Sequence, residues 1–143
     1  MDTRTYFAYG SNMDEAQMAE RCPGARLLGP ARFPGHRFGI NSRGVATVFP
    51  DASSGVHGLL WAISEEDERA LDGFEGVAAG RYRKERAAFE RSGAEPVDAL
   101  IYIASDRVPG SPRAGYLEKI LRAAERNKFP IEYVEVLRGW MGR

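Results

Sequence analysis

The sequence predicts an α+β fold: a small mixed, mainly antiparallel β-barrel with flanking α-helices. Three observations carry this expectation. Short runs of aromatic and β-branched residues recur between Thr5 and Ala104, and the Gly, Pro and Ser clusters between most of them are too short for parallel crossovers. A polar, acid-rich segment with helical spacing interrupts these runs after Ile63. From Tyr116 onward the apolar residues fall at helical rather than alternating intervals. With 143 residues the chain reads as one domain over residues 1–143, large enough for a sizeable core.

Thr5 to Tyr9 is aromatic and apolar and reads as a buried strand. Gly10 allows a sharp turn. Asn12 stands where a helix cap belongs, with Glu15 at capping-box spacing, and the helix runs to Arg21 or Cys22 before Pro23-Gly24 stops it. Ala25 to Asn41 is broken by glycine and proline and predicts two short, bent strands. Ala46 to Phe49 predicts another strand, Ser53-Ser54-Gly55 a turn, and Val56 to Ile63 a strand covered on both faces. Ser64 caps a helix whose first turn, Glu65-Glu66-Asp67, complements the helix dipole; Ala70, Leu71 and Phe74 form its inward stripe and it ends near Gly73. Tyr82 to Phe89 alternates poorly and suits a strand near an edge, whereas Val97 to Ala104 alternates well. Ser111 and Pro112 suit the cap and first position of a helix striped by Tyr116, Leu117, Ile120, Leu121 and Ala124. Pro130 starts a last helix with Ile131, Val134, Leu137 and Trp140 inward. The total is six or seven strands.

Composition narrows the function classes. Twenty acidic and twenty basic residues leave no net charge and no global pull toward nucleic acid. The lone Cys22 excludes an internal disulfide and a cysteine-rich metal site, and its place at a helix end reads as packing. His36 and His57 belong to no ligand-spaced cluster, so no metal is expected. No apolar run reaches membrane-spanning length, and Asp2 and Arg4 do not suit a signal peptide, so a cytoplasmic protein is expected.

Two stretches carry chemistry. A glycine turn between strand and helix leaves backbone N–H groups pointing outward together, a setting that binds a carboxylate, phosphate or oxyanion. The Ser11 hydroxyl adds a donor; the same string also fits an ordinary corner whose donors are met by Asn12 and water. The second stretch surrounds Glu75, which sits between Phe74 and Gly76-Val77. Among apolar neighbours a carboxyl loses solvation, its pKa rises, and it suits proton transfer near neutral pH. A solvated glutamate at a helix exit has the same local sequence.

Tyr9-Gly10-Ser11-Asn12-Met13 after an apolar strand resembles the substrate loop of the gamma-glutamylcyclotransferase superfamily, which includes AIG2-like and gamma-glutamylamine cyclotransferase-like proteins. Leu71-Asp72-Gly73-Phe74-Glu75-Gly76-Val77, followed by Gly80 and Tyr82, resembles the segment that carries that family's catalytic glutamate. The Ser111-Pro112 segment with Tyr116, then Pro130, Glu132 and Tyr133, is a looser third match, and the three stand in family order. Met13 replaces a common leucine, and Phe74 a glutamine frequent in the best-known branch.

The resemblance implies a small mixed barrel and a cyclisation that releases 5-oxoproline and an amine or amino acid. It implies Glu75 as general acid/base, with Tyr9, Gly10, Ser11, Asn12 and Met13 holding the substrate's α-carboxylate or the developing oxyanion. Tyr82 and Tyr116 follow as hydroxyl donors, equally readable as core tyrosines. No cofactor or metal is implied. The expected partner is a small-molecule gamma-glutamyl substrate, with no nucleic acid and no membrane, for a monomer or homodimer. A binding module that senses a gamma-glutamyl or carboxylate metabolite is the alternative. The leaving amine is left open.

Overall fold

A computed structural model of the chain describes residues 3–141. Five strands, β1 (Thr3–Ala8), β2 (Arg26–Ile40), β3 (Ala46–Ser64), β4 (Tyr82–Arg91) and β5 (Ala94–Ala104), close into a barrel in the order β1-β3-β2-β4-β5. Four of the five pairings are antiparallel, and β1 meets β5 in parallel at Tyr6↔Leu100. The helices are α1 (Glu15–Arg21), α2 (Glu65–Phe74), α3 (Tyr116–Arg126) and α4 (Ile131–Arg138). The mixed, mainly antiparallel barrel with flanking helices is therefore as expected, with five strands among the described residues rather than six or seven.

The difference in number has one cause: glycine and proline mark bulges here, not strand ends. β2 runs unbroken through Gly29, Pro30, Pro34 and Gly35, with register shifts at Leu27/Gly29 and Pro34/His36. At the second shift pairing jumps from Pro34↔Gly55 to His36↔Pro50. Gly35 takes the positive φ of +77° that the bulge demands. Opposite it, the Asp51 carboxylate accepts from the Ser53 N–H and from the Ser53 and Ser54 hydroxyls, so the predicted turn residues turn inside a continuous β3. The closed order also leaves β4 no free edge, although it touches β2 at a single register position, Arg32↔Glu90.

The core fills the barrel and the seam beneath the helices. Phe7, Phe33 and Phe89 pack at its centre, Phe7 on Phe89 with ring centres 4.3 Å apart. Leu59 to Ile63 is buried on both faces, as expected for the best strand. Leu117, Ile120 and Ala124 of α3 and Val134 and Leu137 of α4 cover the outside. Ile131, expected inward, is exposed, because α4 begins there and presents Tyr133, Val134 and Leu137 to the core instead.

The helix starts show where local signals compete. Ser64 caps α2 as expected, in a reciprocal capping box with Asp67. Asp14, not Asn12, caps α1: its carboxylate accepts from the Gln17 N–H at 3.0 Å. Ser111 and Pro112 precede α3 in extended chain, and α3 starts after Gly115, whose φ of +76° sets the entry. Among the described residues no helix is long and apolar enough to cross a membrane.

Candidate active site

β1 delivers the chain to one end of the barrel, where Ser11–Met13 forms a single 3-10 turn. Gly10 has φ −114°, which any residue can adopt, so its need for glycine is spatial. A Cβ there would lie 3.1 Å from the Tyr116 hydroxyl oxygen and 3.3 Å from the Ala46 Cβ. The Met13 N–H donates to the Gly10 carbonyl and the Asp14 N–H to the Ser11 carbonyl, both at 3.0 Å. The N–H groups at the head of the turn, from Gly10 to Asn12, have no partner within a 3-10 turn and form its donor end.

Asn12 is buried and its side chain braces the turn. Its amide donates to the Tyr6 hydroxyl at 3.0 Å, and its carbonyl accepts from Gln17 at 2.9 Å and from Arg21 at 3.1 Å. Gln17 also donates to the Ser11 hydroxyl oxygen at 2.7 Å, which leaves the Ser11 proton free to point elsewhere. Lys119 of α3 donates to the Gln17 carbonyl at 2.9 Å, so α1 and α3 clamp the turn from outside.

Glu75 is the C-cap of α2. The Val77 N–H returns to Asp72 O and the Gly76 N–H to Gly73 O, a Schellman stop in which Gly76 supplies the left-handed residue at φ +65°. The helix itself is strapped down: Lys84 pairs with Glu68 and Asp72, Arg4 with Glu68, and the Tyr102 hydroxyl donates to Asp72 at 2.7 Å. Glu75 is thus held at a rigid helix end. Burial pushes its carboxyl up to about 7, against the lowering effect of the Arg21 guanidinium. The negative end of the helix dipole acts in the same direction as burial.

Glu75 and the head of the turn line one cavity of about 490 Å³, the size of a small-molecule site. Tyr6, Tyr9, Tyr82, Tyr102 and Tyr116 line it as well. The Glu75 charge reaches the hydroxyls of Tyr6, Tyr9, Tyr82 and Tyr116 and adds to the burial that holds them neutral. Two tyrosines bracket the Ala46 peptide: the Tyr82 hydroxyl donates to Ala46 O at 2.8 Å, and the Ala46 N–H donates to the Tyr116 hydroxyl at 3.0 Å. The Ser11 N–H also approaches the Tyr116 oxygen. With both lone-pair directions taken, the Tyr116 proton is left for another acceptor. Tyr9 has no such freedom, because it donates to Tyr102 O at 2.5 Å.

Of the residues expected here, Tyr9, Gly10, Ser11, Asn12, Glu75, Tyr82 and Tyr116 line the cavity. Met13 does not: its side chain is fully buried in the core and its N–H is committed to Gly10. Phe74, expected in the α2 core stripe, is exposed and carries the Arg21 guanidinium over its ring. Sequence reasoning missed Tyr6, Arg21, Arg113 and Lys119, which come from distant segments with no shared motif. Tyr6 alone carried a local signal, lying in the aromatic run four residues before Gly10. Cys22 and both histidines lie outside the cavity. Cys22 is buried, with burial raising its thiol to about 11, and His36 stacks on Phe33. Among the described residues no three His, Cys, Asp or Glu side chains converge as metal ligands.

Comparison with known proteins places this geometry in a family. The model of the AIG2-like family matches residues 55–137. The human protein named gamma-glutamylcyclotransferase is 28% identical over 143 residues, which cover 93% of this chain and 76% of the human one. The bovine protein of the same name is 29% identical, over 92% of this chain and 76% of its own. A solved structure described as gamma-glutamyl cyclotransferase superposes with a TM-score of 0.92 at 25% identity, covering 99% of this chain and 90% of that one.

Proposed function

The chain belongs to the AIG2-like family, and from that premise we propose that it is a gamma-glutamylcyclotransferase with Glu75 as its general acid/base. The substrate is a gamma-glutamyl amine or amino acid. Its own α-amine attacks its γ-carbonyl, a five-membered ring closes, and 5-oxoproline leaves together with the amine. Both reacting groups belong to one molecule, so holding the chain folded supplies a large part of the acceleration.

The cavity offers a group for each remaining task. Glu75 takes a proton from the α-ammonium, the nitrogen lone pair forms the new C–N bond, and the γ-carbonyl oxygen gathers negative charge. Glu75 then returns the proton to the leaving nitrogen as the old C–N bond breaks, and the ring nitrogen gives up its second proton to the released amine, which leaves a neutral lactam and an ammonium. A carboxyl at about 7 exchanges protons in both directions near neutral pH. The Gly10 and Asn12 N–H groups and the Ser11 hydroxyl hold an anion of the substrate, either its α-carboxylate or the developing oxyanion, while the Ser11 N–H braces the Tyr116 oxygen. Tyr116, with its proton unclaimed, donates to the same anion, and Tyr82 fixes the Ala46 peptide beside it. Met13 anchors the turn from the core rather than touching substrate.

The observation that carries this reading is the placement of a proton-exchanging carboxyl, Glu75, in one cavity with a fixed backbone donor turn. The test is a screen of gamma-glutamyl amino acids and amines for 5-oxoproline release. Turnover of any of them supports the reading. Tight binding of these compounds with no 5-oxoproline released would make the protein a non-catalytic sensor instead.

A further inference from the structure

The cavity is unbalanced in charge. Arg21, Arg43, Arg81, Arg113 and Lys119 line it, and Glu75 is its one lining carboxylate. Among the described residues none of these five cations lies within salt-bridge distance of a carboxylate, although the chain forms such pairs elsewhere on its surface. In a chain of zero net charge this concentration is specific to the site.

Four of the five cations fall into two groups by what holds them. Arg21 and Lys119 are tied through Asn12 and Gln17 to the 3-10 turn. Arg43 and Arg113 are built into a second device. Arg43 sits half-buried in the β2–β3 connection, which Asn41 organises: its carbonyl oxygen accepts from the N–H groups of Arg43 and Val45, and its amide donates to Asp106 O. Gly44 closes that turn at φ +82° and accepts the Arg113 N–H at 3.1 Å. The Arg113 Nε donates to the Arg43 carbonyl at 2.8 Å. The Arg43 backbone and the Arg113 Nε are therefore fixed against each other at the cavity wall, and among the described residues the terminal nitrogens of Arg113 make no hydrogen bond. Asp106, whose carboxyl feels the Arg43 charge, accepts from the Ser42 hydroxyl and the Val108 N–H.

We propose that Arg43 and Arg113, with Arg81 lining the same cavity, form a leaving-group subsite that selects a gamma-glutamyl substrate whose leaving amine is itself an acidic, dicarboxylate amino acid. This rests on the cyclotransferase reading above. The gamma-glutamyl head brings one ammonium and one carboxylate and adds no net charge. A simple amine leaves the arginine pair unmatched, a neutral amino acid supplies one carboxylate, and an acidic one supplies two. Guanidinium pairs that are held in place without a protein partner recognise carboxylates through forked hydrogen bonds.

The test compares gamma-glutamyl-glutamate, gamma-glutamyl-alanine and gamma-glutamyl-methylamide as substrates, reading kcat/KM for 5-oxoproline release at low ionic strength. The expected order is glutamate, then alanine, then methylamide, with a total span of about tenfold or more. Arg43→Gln and Arg113→Gln should each shrink the glutamate-to-methylamide ratio about tenfold, mainly through KM, and Arg43→Lys should restore part of it. Added salt should narrow the ratio in the wild type. A wild type that turns over the alanine or methylamide compound as well as the glutamate compound overturns the proposal, as do variants that lower all three rates equally. If no compound is turned over, the cyclotransferase reading fails on its own. Calorimetric binding of gamma-glutamyl-glutamate then decides the subsite: binding weakened by Arg43→Gln sustains it, and no binding overturns it.

Discussion

The guanidinium of Arg21 lies 4.6 Å from the centre of the Phe74 ring. The same arginine donates to the Asn12 carbonyl, so one α1 side chain joins the donor turn to the residue before Glu75. Its charge opposes the effect of burial on Glu75. Arg21→Gln should therefore raise the Glu75 pKa above about 7, and the acid limb of the kcat/KM profile for 5-oxoproline release should move to higher pH. An unmoved limb would separate Arg21 from the proton-transfer group.

Gly10→Ala tests the spatial reading of the turn. The added methyl meets the Tyr116 hydroxyl and the Ala46 Cβ. A loss of about 1–2 kcal/mol in urea unfolding is expected from overpacking. Displacement of the turn should also lower kcat/KM about 10²-fold.

Tyr116→Phe leaves the N–H groups of Ala46 and Ser11 facing a ring edge instead of an oxygen. Thermal or urea melts should show a loss of about 1–3 kcal/mol, the cost of unpaired buried donors. Tyr82→Phe instead orphans a carbonyl, Ala46 O, and should cost less because under-satisfied carbonyls are better tolerated.

Glu75 should weaken the fold at neutral pH. Its folded-state pKa is about 7, against 4.5 when unperturbed, so between those values the native protein holds a proton that the unfolded chain has released. Stability from this group is present below pH 4.5 and is lost as pH rises through 7. Glu75→Gln carries no such loss. It should be more stable than the wild type by about 2 kcal/mol at pH 8, with the difference closing toward pH 4. Paired urea melts across that range measure it, and a constant difference would contradict it.

Much of this was legible in the sequence for physical reasons. The barrel followed from short aromatic and β-branched runs with tight connections, and Leu59 to Ile63 was marked as doubly covered by apolar residues at every position. Glu75 stood out because its sequence neighbours are apolar, and its pKa is raised by burial in the fold. What stayed hidden depends on tertiary contact. Asn12 and Asp14 are both good caps; Asn12 lost the role because Tyr6, Gln17 and Arg21 draw its side chain inward. The glycines and prolines of β2 read equally as breaks or bulges until β3 is laid beside them. Met13 follows four lining residues, yet the 3-10 turn rotates it into the core. The cavity cations come from α1, the β2–β3 turn, the loop after α2, the approach to α3 and α3 itself, a convergence that only the closed barrel creates.

The central claim is that Glu75 moves the proton. The most direct measurement is the 5-oxoproline release rate of Glu75→Gln on a gamma-glutamyl compound that the wild type turns over, with circular dichroism confirming that the variant is folded. The account predicts a kcat lower by about 10²–10⁴-fold. A folded variant that turns over at the wild-type rate would contradict it.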